Sequence, residues 1–482
     1  METPHQVDRL IKLPNELLQI MFQDEQQLLV TCMRLNKAWN TRLSELRHTF
    51  TQIEIDLRGL IIQDSWQKTI IGFLNPTLTK VTIRTDSTPW WLLWLLNNNC
   101  SQANIRDLDI TTSRHCFLID NLFRFDSQRA QRNLNVLTRN LASISIETYE
   151  HQSIHVLLQM CPSLTILNCL GRRDESLLFE SEDTVFLQEH RNLRALQVSH
   201  QSYVVSQPQR YLPYLPRLQV FRVITFDAYS SGYHLNELLP DVLGNVPDMK
   251  VFYAGKRMIA NSTLAELVSQ DADARGLQEV GLDKDVNFPI GRLVSFFEHA
   301  CVTLTRLHIG KLQSARIIAH NNQKLQLLKL HLRASNKDKK NGGHTAELTQ
   351  ILHRAPNLLS LELCNFKQRA VASIIPSIVQ LRYLHSLCIQ VSNRGFYDTI
   401  SGPLNIDRLG DLPRIKHISI TGLVVTGFDQ FLENLVSSGG LETLESVRVT
   451  FNEYALNRKM LQSLKETCRS LQFAELDSGP TF

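Results

Sequence analysis

A short apolar pattern constrains this chain more than anything else in it. One large apolar residue is followed three and five positions later by two more, and the triplet recurs sixteen times. The copies open at Phe50, Leu78, Ile105, Leu141, Leu164, Leu193, Leu218, Met249, Leu277, Leu304, Leu325, Leu358, Leu384, Ile415, Leu444 and Leu471. Fifteen steps carry the chain from residue 50 to residue 471, about 28 residues each, the period of a stacked-repeat protein. Triplets of this kind arise often by chance in a chain that is 43% hydrophobic. Two further regularities single these copies out. The opening residue, position 1 of each repeat, is Leu in twelve of the sixteen. Proline stands two residues before it in six: Pro76, Pro162, Pro216, Pro247, Pro356 and Pro413, out of sixteen prolines in the whole chain. Proline there ends a preceding helix and forces an extended approach to a strand.

Successive side chains of a strand point to opposite faces, so the apolar residues at positions 4 and 6 share one face and positions 3 and 5 share the other. Amphipathic segments of helical spacing fall between copies: His151 to Met160, Gln368 to Gln380 with Pro376 as an interruption, and Met460 to Cys468. A strand followed by a helix every ~28 residues cannot bury its own apolar face, so neighbours must stack. The expected fold is therefore α/β. Residues 51–482 would form an irregular solenoid of about 15–16 repeats, with parallel strands on a concave face and helices outside. The step varies from 21 residues (Leu304 to Leu325) to 36 (Ile105 to Leu141), which marks insertions. The most polar one runs from Arg333 to Gly343, and its natural reading is a solvated loop. On the concave face the expected binding residues are Arg306, His308, Lys329, His331, Glu362, His417 and Arg448, with Ser419 and Thr450 beside them.

Ahead of the repeats, Leu13 to Phe50 carries apolar residues at helical spacing in three clusters. Pro14 suits the first position of a helix, where its missing N–H has no intrahelical partner. Three short helices cannot bury that many large side chains among themselves, so they require a surface to pack on. Leu13-Pro14, Glu16-Leu17-Leu18, Ile20, Phe22 and Leu35-Asn36-Lys37-Ala38-Trp39 together resemble the F-box pattern. Gln23 to Gln27 replaces the short Leu-bearing connection usual in that family, and Leu35-Asn36 replaces its Val-Cys. The following repeats resemble the leucine-rich repeats that succeed an F-box in many eukaryotic proteins, including the Cys161-Pro162-Ser163-Leu164 opening. They depart from that consensus at position 9, where its Asn or Cys appears only as Asn452, so no continuous side-chain ladder is expected there. The resemblance implies a three-helix F-box over residues 1–50 that docks a Skp-type adaptor through Leu13, Pro14, Leu17, Leu18, Leu28, Leu29, Leu35 and Trp39. Through the adaptor it would reach a cullin, while the solenoid holds an unknown client protein. The chain would then be the substrate-recognition subunit of a Skp–cullin–F-box ubiquitin ligase. The alternative is a leucine-rich-repeat scaffold outside any ligase.

Other features narrow the classes. The 51 basic and 47 acidic residues nearly cancel, leaving +4, so neither nucleic acid nor an anionic membrane is the implied partner. Nine cysteines occur without a C-x-x-C pair, as expected of buried thiols in a reducing compartment, cytoplasmic or nuclear. The longest apolar run near the start, Trp90 to Leu96, is far too short to span a bilayer. The sequons at Asn99 and Asn261 then read as chance matches. No P-loop, G-x-G-x-x-G or G-x-S-x-G string occurs, so no catalytic, cofactor or metal site is expected. His151 and His155 are four apart, but Gln152 stands where a zincin needs its glutamate base, and they read as helix residues. Trp90, Trp91 and Trp94 read as packing.

Overall fold

A computed structural model of the 482-residue chain describes residues 17–18, 50–56, 71, 73–86, 103–112, 137–148, 154–171, 189–199, 212–225, 246–256, 263–269, 276–283, 303–310, 327–334, 345–391, 404–421, 425–440, 443–449 and 473–475. It divides into two compact units, Met1–Asp227 with Ser262–Gln270, and Ala228–Asn261 with Asp271–Phe482.

The first unit is a parallel sheet in chain order: β1 (Gln52–Asp56), β2 (Lys80–Thr85), β3 (Asp107–Thr112), β4 (Ser143–Thr148), β5 (Ile166–Gly171), β6 (Ala195–Ser199) and β7 (Val220–Thr225). Helix α1 (Ile154–Met160) lies between β4 and β5 in sequence. Helix α2 (Leu264–Ser269) returns to this unit and packs against β6 and β7. A reciprocal cap starts it: the Thr263 N–H donates to Glu266 Oε2 at 2.8 Å and the Glu266 N–H to Thr263 Oγ1 at 3.2 Å. Thr263 is thus the helix cap within the Asn261 sequon.

The second unit repeats the plan: β8 (Val251–Lys256), β9 (Glu279–Leu282), β10 (Arg306–Ile309), β11 (Lys329–Arg333), β12 (Ser360–Phe366), β13 (Ser386–Val391), β15 (His417–Thr421), β17 (Ser446–Val449) and β18 (Phe473–Glu475), all parallel. Two-residue strands β14 (Leu404–Asn405) and β16 (Val425–Thr426) pair separately. Helices α3 (Thr345–Arg354) and α4 (Gln368–Ile378) pack on one another, and α5 (Phe428–Ser438) packs on a 3-10 turn over Asp407–Asp411.

Each expected copy coincides with one of these sixteen strands, and each strand begins at position 3. Pairing aligns like with like: Val81 faces Leu108, which faces Ile144, and Leu361 faces Leu387, which faces Ile418. Positions 1, 4 and 6 form the core, as in Leu78, Val81 and Ile83, all fully buried. One copy is displaced by two residues. The triplet expected at Leu325, Leu328 and Leu330 lies instead at Leu327, Leu330 and Leu332, where Leu330 pairs with Leu307 and Leu332 with Ile309. Leucine at 325, 327, 328, 330 and 332 satisfies both frames; the pairing selects the second, and the step from Leu304 becomes 23 residues.

Two backbone devices join neighbouring repeats. The position 2 carbonyl accepts the N–H groups of positions 2 and 3 of the next repeat. Thr51 O takes both Thr79 and Lys80, and Thr305 O takes both Leu328 and Lys329, within 2.7–3.1 Å wherever this fork occurs among the described residues. Threonines just before position 1 reach back to the preceding position 1 carbonyl, as Thr303 does to Leu277 O at 2.8 Å and Thr443 to Ile415 O at 3.1 Å.

The recurrent proline sits in a tight turn rather than an extended approach. The position 1 N–H bonds the carbonyl three residues back, as Leu164 does to Cys161 O and Leu358 to Ala355 O, which puts Pro162 and Pro356 at the second turn residue, where a φ near −65° is required. His190 serves the same turn with its ring. Its Nδ1 accepts the Leu193 N–H at 3.2 Å, and its Nε2 lies 2.9 Å from Cys161 O of the preceding repeat. Accepting at Nδ1 while donating at Nε2 fixes one neutral tautomer.

Other expectations are refined. Helix α4 runs through Pro376 instead of breaking there, because the proline falls in its last turn and costs one hydrogen bond; Val379 N–H to Ile375 O follows it at 3.0 Å. The helix expected from His151 spans Ile154–Met160. Arg333 ends β11 and Ala334 is buried, so the polar insertion starts after them. The segment from Met460 to Cys468, Trp90, Trp91, Trp94, Thr450 and Asn452 lie outside the described residues. Helices are few beside the strands among the described residues.

The register is testable by truncation. Leu327→Ala, at a site that is core in this frame alone, is expected to cost about 2–5 kcal/mol in urea unfolding. Leu328→Ala, at a half-buried position 2, should cost under about 1.5 kcal/mol. The reverse ranking would restore the Leu325 frame.

Candidate functional site

Positions 3 and 5 leave the core and line the opposite face of each sheet. In the first unit the position 5 residues form a bonded row. Asp109, Ser145, Asn168, Gln197 and Arg222 are successive partners in register. Ser145 bonds Asp109. Asn168 Nδ2 donates to Ser145 Oγ at 3.0 Å, Gln197 Nε2 to Asn168 Oδ1 at 2.8 Å, and Arg222 to Gln197 Oε1 at 3.4 Å. Burial pushes the Asp109 carboxyl above its ordinary value against the pull of Ser145 and Lys80.

In the second unit the same row reads Tyr253, Gly281, His308, His331, Glu362, Cys388, Ser419, Arg448. Its densest chemistry surrounds Glu279, at position 3 of β9 and only 6% exposed. Tyr253 Oη donates to Glu279 Oε1, and His308 Nε2 lies 3.2 Å from the same oxygen. Arg306 Nε stands 2.6 Å from Oε2, an ion pair off hydrogen-bond alignment. Gly281 makes this possible. A Cβ there would lie 2.0 Å from Tyr253 Cδ1, so the tyrosine ring crosses β9 over a residue with no side chain. Burial alone would raise the Glu279 carboxyl, but hydrogen bonds from His308 and Tyr253 and the charge of Arg306 outweigh it, leaving a pKa of about 2.

Beyond His308 the row continues as a second cluster. The His308 and His331 rings lie 5.6 Å apart, and His331 Nδ1 is 2.8 Å from Glu362 Oε2. Cys364 donates its S–H to Glu362 Oε1 at 3.4 Å and reaches Gln390 Oε1 at 3.7 Å. The His331 hydrogen bond holds the Glu362 carboxyl below its ordinary value. Burial and the Glu362 charge push the Cys364 thiol up to about 12.

Of the residues expected on this face, the structure gathers Arg306, His308, His331 and Glu362 into these clusters. Lys329 and Arg448 occupy the same face but are exposed. His417 is exposed too, with Nδ1 2.9 Å from Ser446 Oγ and Nε2 3.5 Å from Glu445. Ser419 bonds Cys388. Tyr253, Glu279 and Gly281 were not anticipated, although the alternation that points to Arg306 and His308 points equally to Glu279 and Gly281 one repeat earlier. Of the expected adaptor-binding residues only Leu17 and Leu18 are described, both helical. Leu17 is 48% exposed and Leu18 is fully buried, so Leu18 is a packing residue and Leu17 the accessible one. Leu13, Pro14, Leu28, Leu29, Leu35 and Trp39 lie outside the described residues. Among the described residues no helix is long and apolar enough to cross a membrane.

Because the Glu279 pKa is depressed, its contribution is complete above the unfolded value near 4.5 and is lost as pH falls toward 2. The shift corresponds to about 3 kcal/mol. Urea unfolding of the wild type should therefore weaken by roughly that amount across this window. Glu279→Gln should be less stable at neutral pH and should lack this part of the acid dependence.

No protein-family model matches the chain, and no curated protein matches it.

Proposed function

We propose that this chain is the substrate-recognition subunit of a Skp–cullin–F-box ubiquitin ligase. The F-box-like stretch from Leu13 docks the adaptor, and the polar face of the repeats holds a client protein. The observation that carries this reading is the division of labour within each strand. Positions 4 and 6 are spent on the core, while positions 3 and 5 present side chains such as Lys329 and Arg448 outward on a rigid sheet. A row held in place by lateral bonds loses little conformational entropy when a partner docks. The face carries both signs, Arg306 beside Glu279 and the exposed Lys329 and Arg448 along with Glu362, which suits a mixed-charge protein surface better than a polyanion. The adaptor half rests on the F-box-like residues and agrees with the exposure of Leu17.

Such a subunit makes and breaks no bonds itself. It raises the effective concentration of client lysines beside the ubiquitin-charged enzyme by holding both on one assembly.

Two variant sets test the halves separately in cells treated with a proteasome inhibitor. Leu13→Ala with Pro14→Ala should lose the Skp adaptor and the cullin from the purified complex while keeping the client. Lys329→Glu with Arg448→Glu should do the reverse, and in cells without the inhibitor client abundance should rise in either case. Clients recovered without any cullin, at levels unaffected by the variants, would instead establish a scaffold outside the ligase.

A further inference from the structure

We propose that His331, Glu362 and Cys364 form a binding site for one thiophilic divalent cation, with Zn2+ the best fit. They are the one group of three metal-ligating side chains among the described residues whose donor atoms all lie within 4.8 Å of one another. The site is built on two adjacent strands: His331 on β11 faces Glu362 on β12 in register, and Cys364 follows two residues later on the same face. Strand positions place ligands more precisely than loops do.

The donor set selects the metal. One imidazole nitrogen, one carboxylate oxygen and one sulfur suit Zn2+, whereas Ca2+ and Mg2+ take oxygen ligands. Two of the three contacts already have nearly the right length. In a tetrahedral Zn2+ site with ligand distances of about 2.0–2.3 Å, donors stand roughly 3.5 Å apart. Here His331 Nδ1 is 2.8 Å from Glu362 Oε2 and Cys364 Sγ is 3.4 Å from Glu362 Oε1, so the imidazole and the thiol meet the two oxygens of one carboxylate. All three donor atoms lie within 4.8 Å of one another, so drawing them onto one ion is within the reach of side-chain rotation. A thiolate and a carboxylate neutralise the ion, and Arg333, the register partner of Cys364, adds a positive charge at the rim. A fourth, open position would therefore favour a neutral or anionic ligand.

The backbone supports the assignment independently. Directly after Cys364, Asn365 adopts φ 60°, the one positive φ of a non-glycine residue among those described. The pairing of β12 with β13 shifts there, between Cys364 and Phe366. Without that bulge Phe366 would share the face of Glu362 and Cys364; with it, Phe366 turns into the core at 3% exposure. The bulge thus ends the strand with Cys364 as its last residue on the polar face and keeps a large ring off the site. Left-handed non-glycine residues of this kind concentrate at functional positions. The surrounding groups complete the shell: His308 packs on His331, and Gln390 reaches Cys364 from β13. Neither the adaptor nor the client is needed for this site, so it stands apart from the ligase reading.

The test uses the full chain, stripped with a chelator and titrated with Zn2+ and, as a spectroscopic probe, Co2+. One equivalent should bind, and Co2+ should give an intense visible spectrum with a sulfur-to-metal charge-transfer band. Cys364→Ser should abolish that band, and His331→Ala and Glu362→Gln should each weaken Zn2+ binding at least tenfold, all with unchanged far-UV circular dichroism. Bound Zn2+ should also protect Cys364 from alkylation in the otherwise unaltered chain. Absence of saturable binding would overturn the proposal. So would a charge-transfer band that survives Cys364→Ser, which would trace it to other cysteines of the chain. A band lost in Cys364→Ser but indifferent to both His331→Ala and Glu362→Gln would also overturn it, by leaving the thiol without its partners.

Discussion

The forked hydrogen bond at position 2 is the constraint on which each unit depends. One carbonyl takes two consecutive N–H groups from the next repeat, so the following strand can neither slide nor rotate without losing both. A slip of one residue would send every apolar side chain to the wrong face. Because the fork precedes the strand, register is fixed before the first side chain of positions 3 to 6 is placed. Sequence between strands can then vary in length, as the steps of 23 to 36 residues show, without disturbing the alignment that builds the core.

The same alignment makes the polar face. Side chains from equivalent positions meet their counterparts about 4.8 Å away, close enough to bond laterally. In the first unit this yields a row of neutral and charged partners ending at Arg222, and in the second it yields the Glu279 cluster and the His331–Glu362–Cys364 group. Glu279 shows how far burial can go on such a face. Its charge survives desolvation because three neighbours from β8 and β10 converge on it, and Gly281 clears the path for the one that must cross a strand.

Much of this was legible in the sequence for a plain reason: positions 1, 4 and 6 must be large and apolar in every repeat, so the period survives even where nothing else does. Position 3 and 5 residues followed from the alternation, which is why Arg306, His308, His331 and Glu362 were found. The frame failed only around Leu327, where five leucines between 325 and 332 satisfy two registers and only pairing with β10 decides. Tyr253 and Glu279 were passed over because a tyrosine and a lone acid do not stand out as a basic stripe does. Cys364 follows Glu362 by the same alternation, but it lies beyond the positions 3 and 5 that were read; what the sequence hides is the left-handed turn at Asn365 that takes Phe366 off this face, since asparagine tolerates that conformation without announcing it. The proline signal was read correctly in position and incompletely in mechanism, since a tight turn and an extended approach both favour it.

The fork also imposes a grammar on the chain. Positions 2 and 3 must both offer an N–H, so an imino acid is barred from two consecutive sites in each repeat, while it is welcome three residues upstream of the first of them, in the tight turn. None of the sixteen prolines breaks that rule. A single proline three or four residues downstream of its usual place would therefore strip one donor from the fork and loosen the joint between two neighbouring repeats.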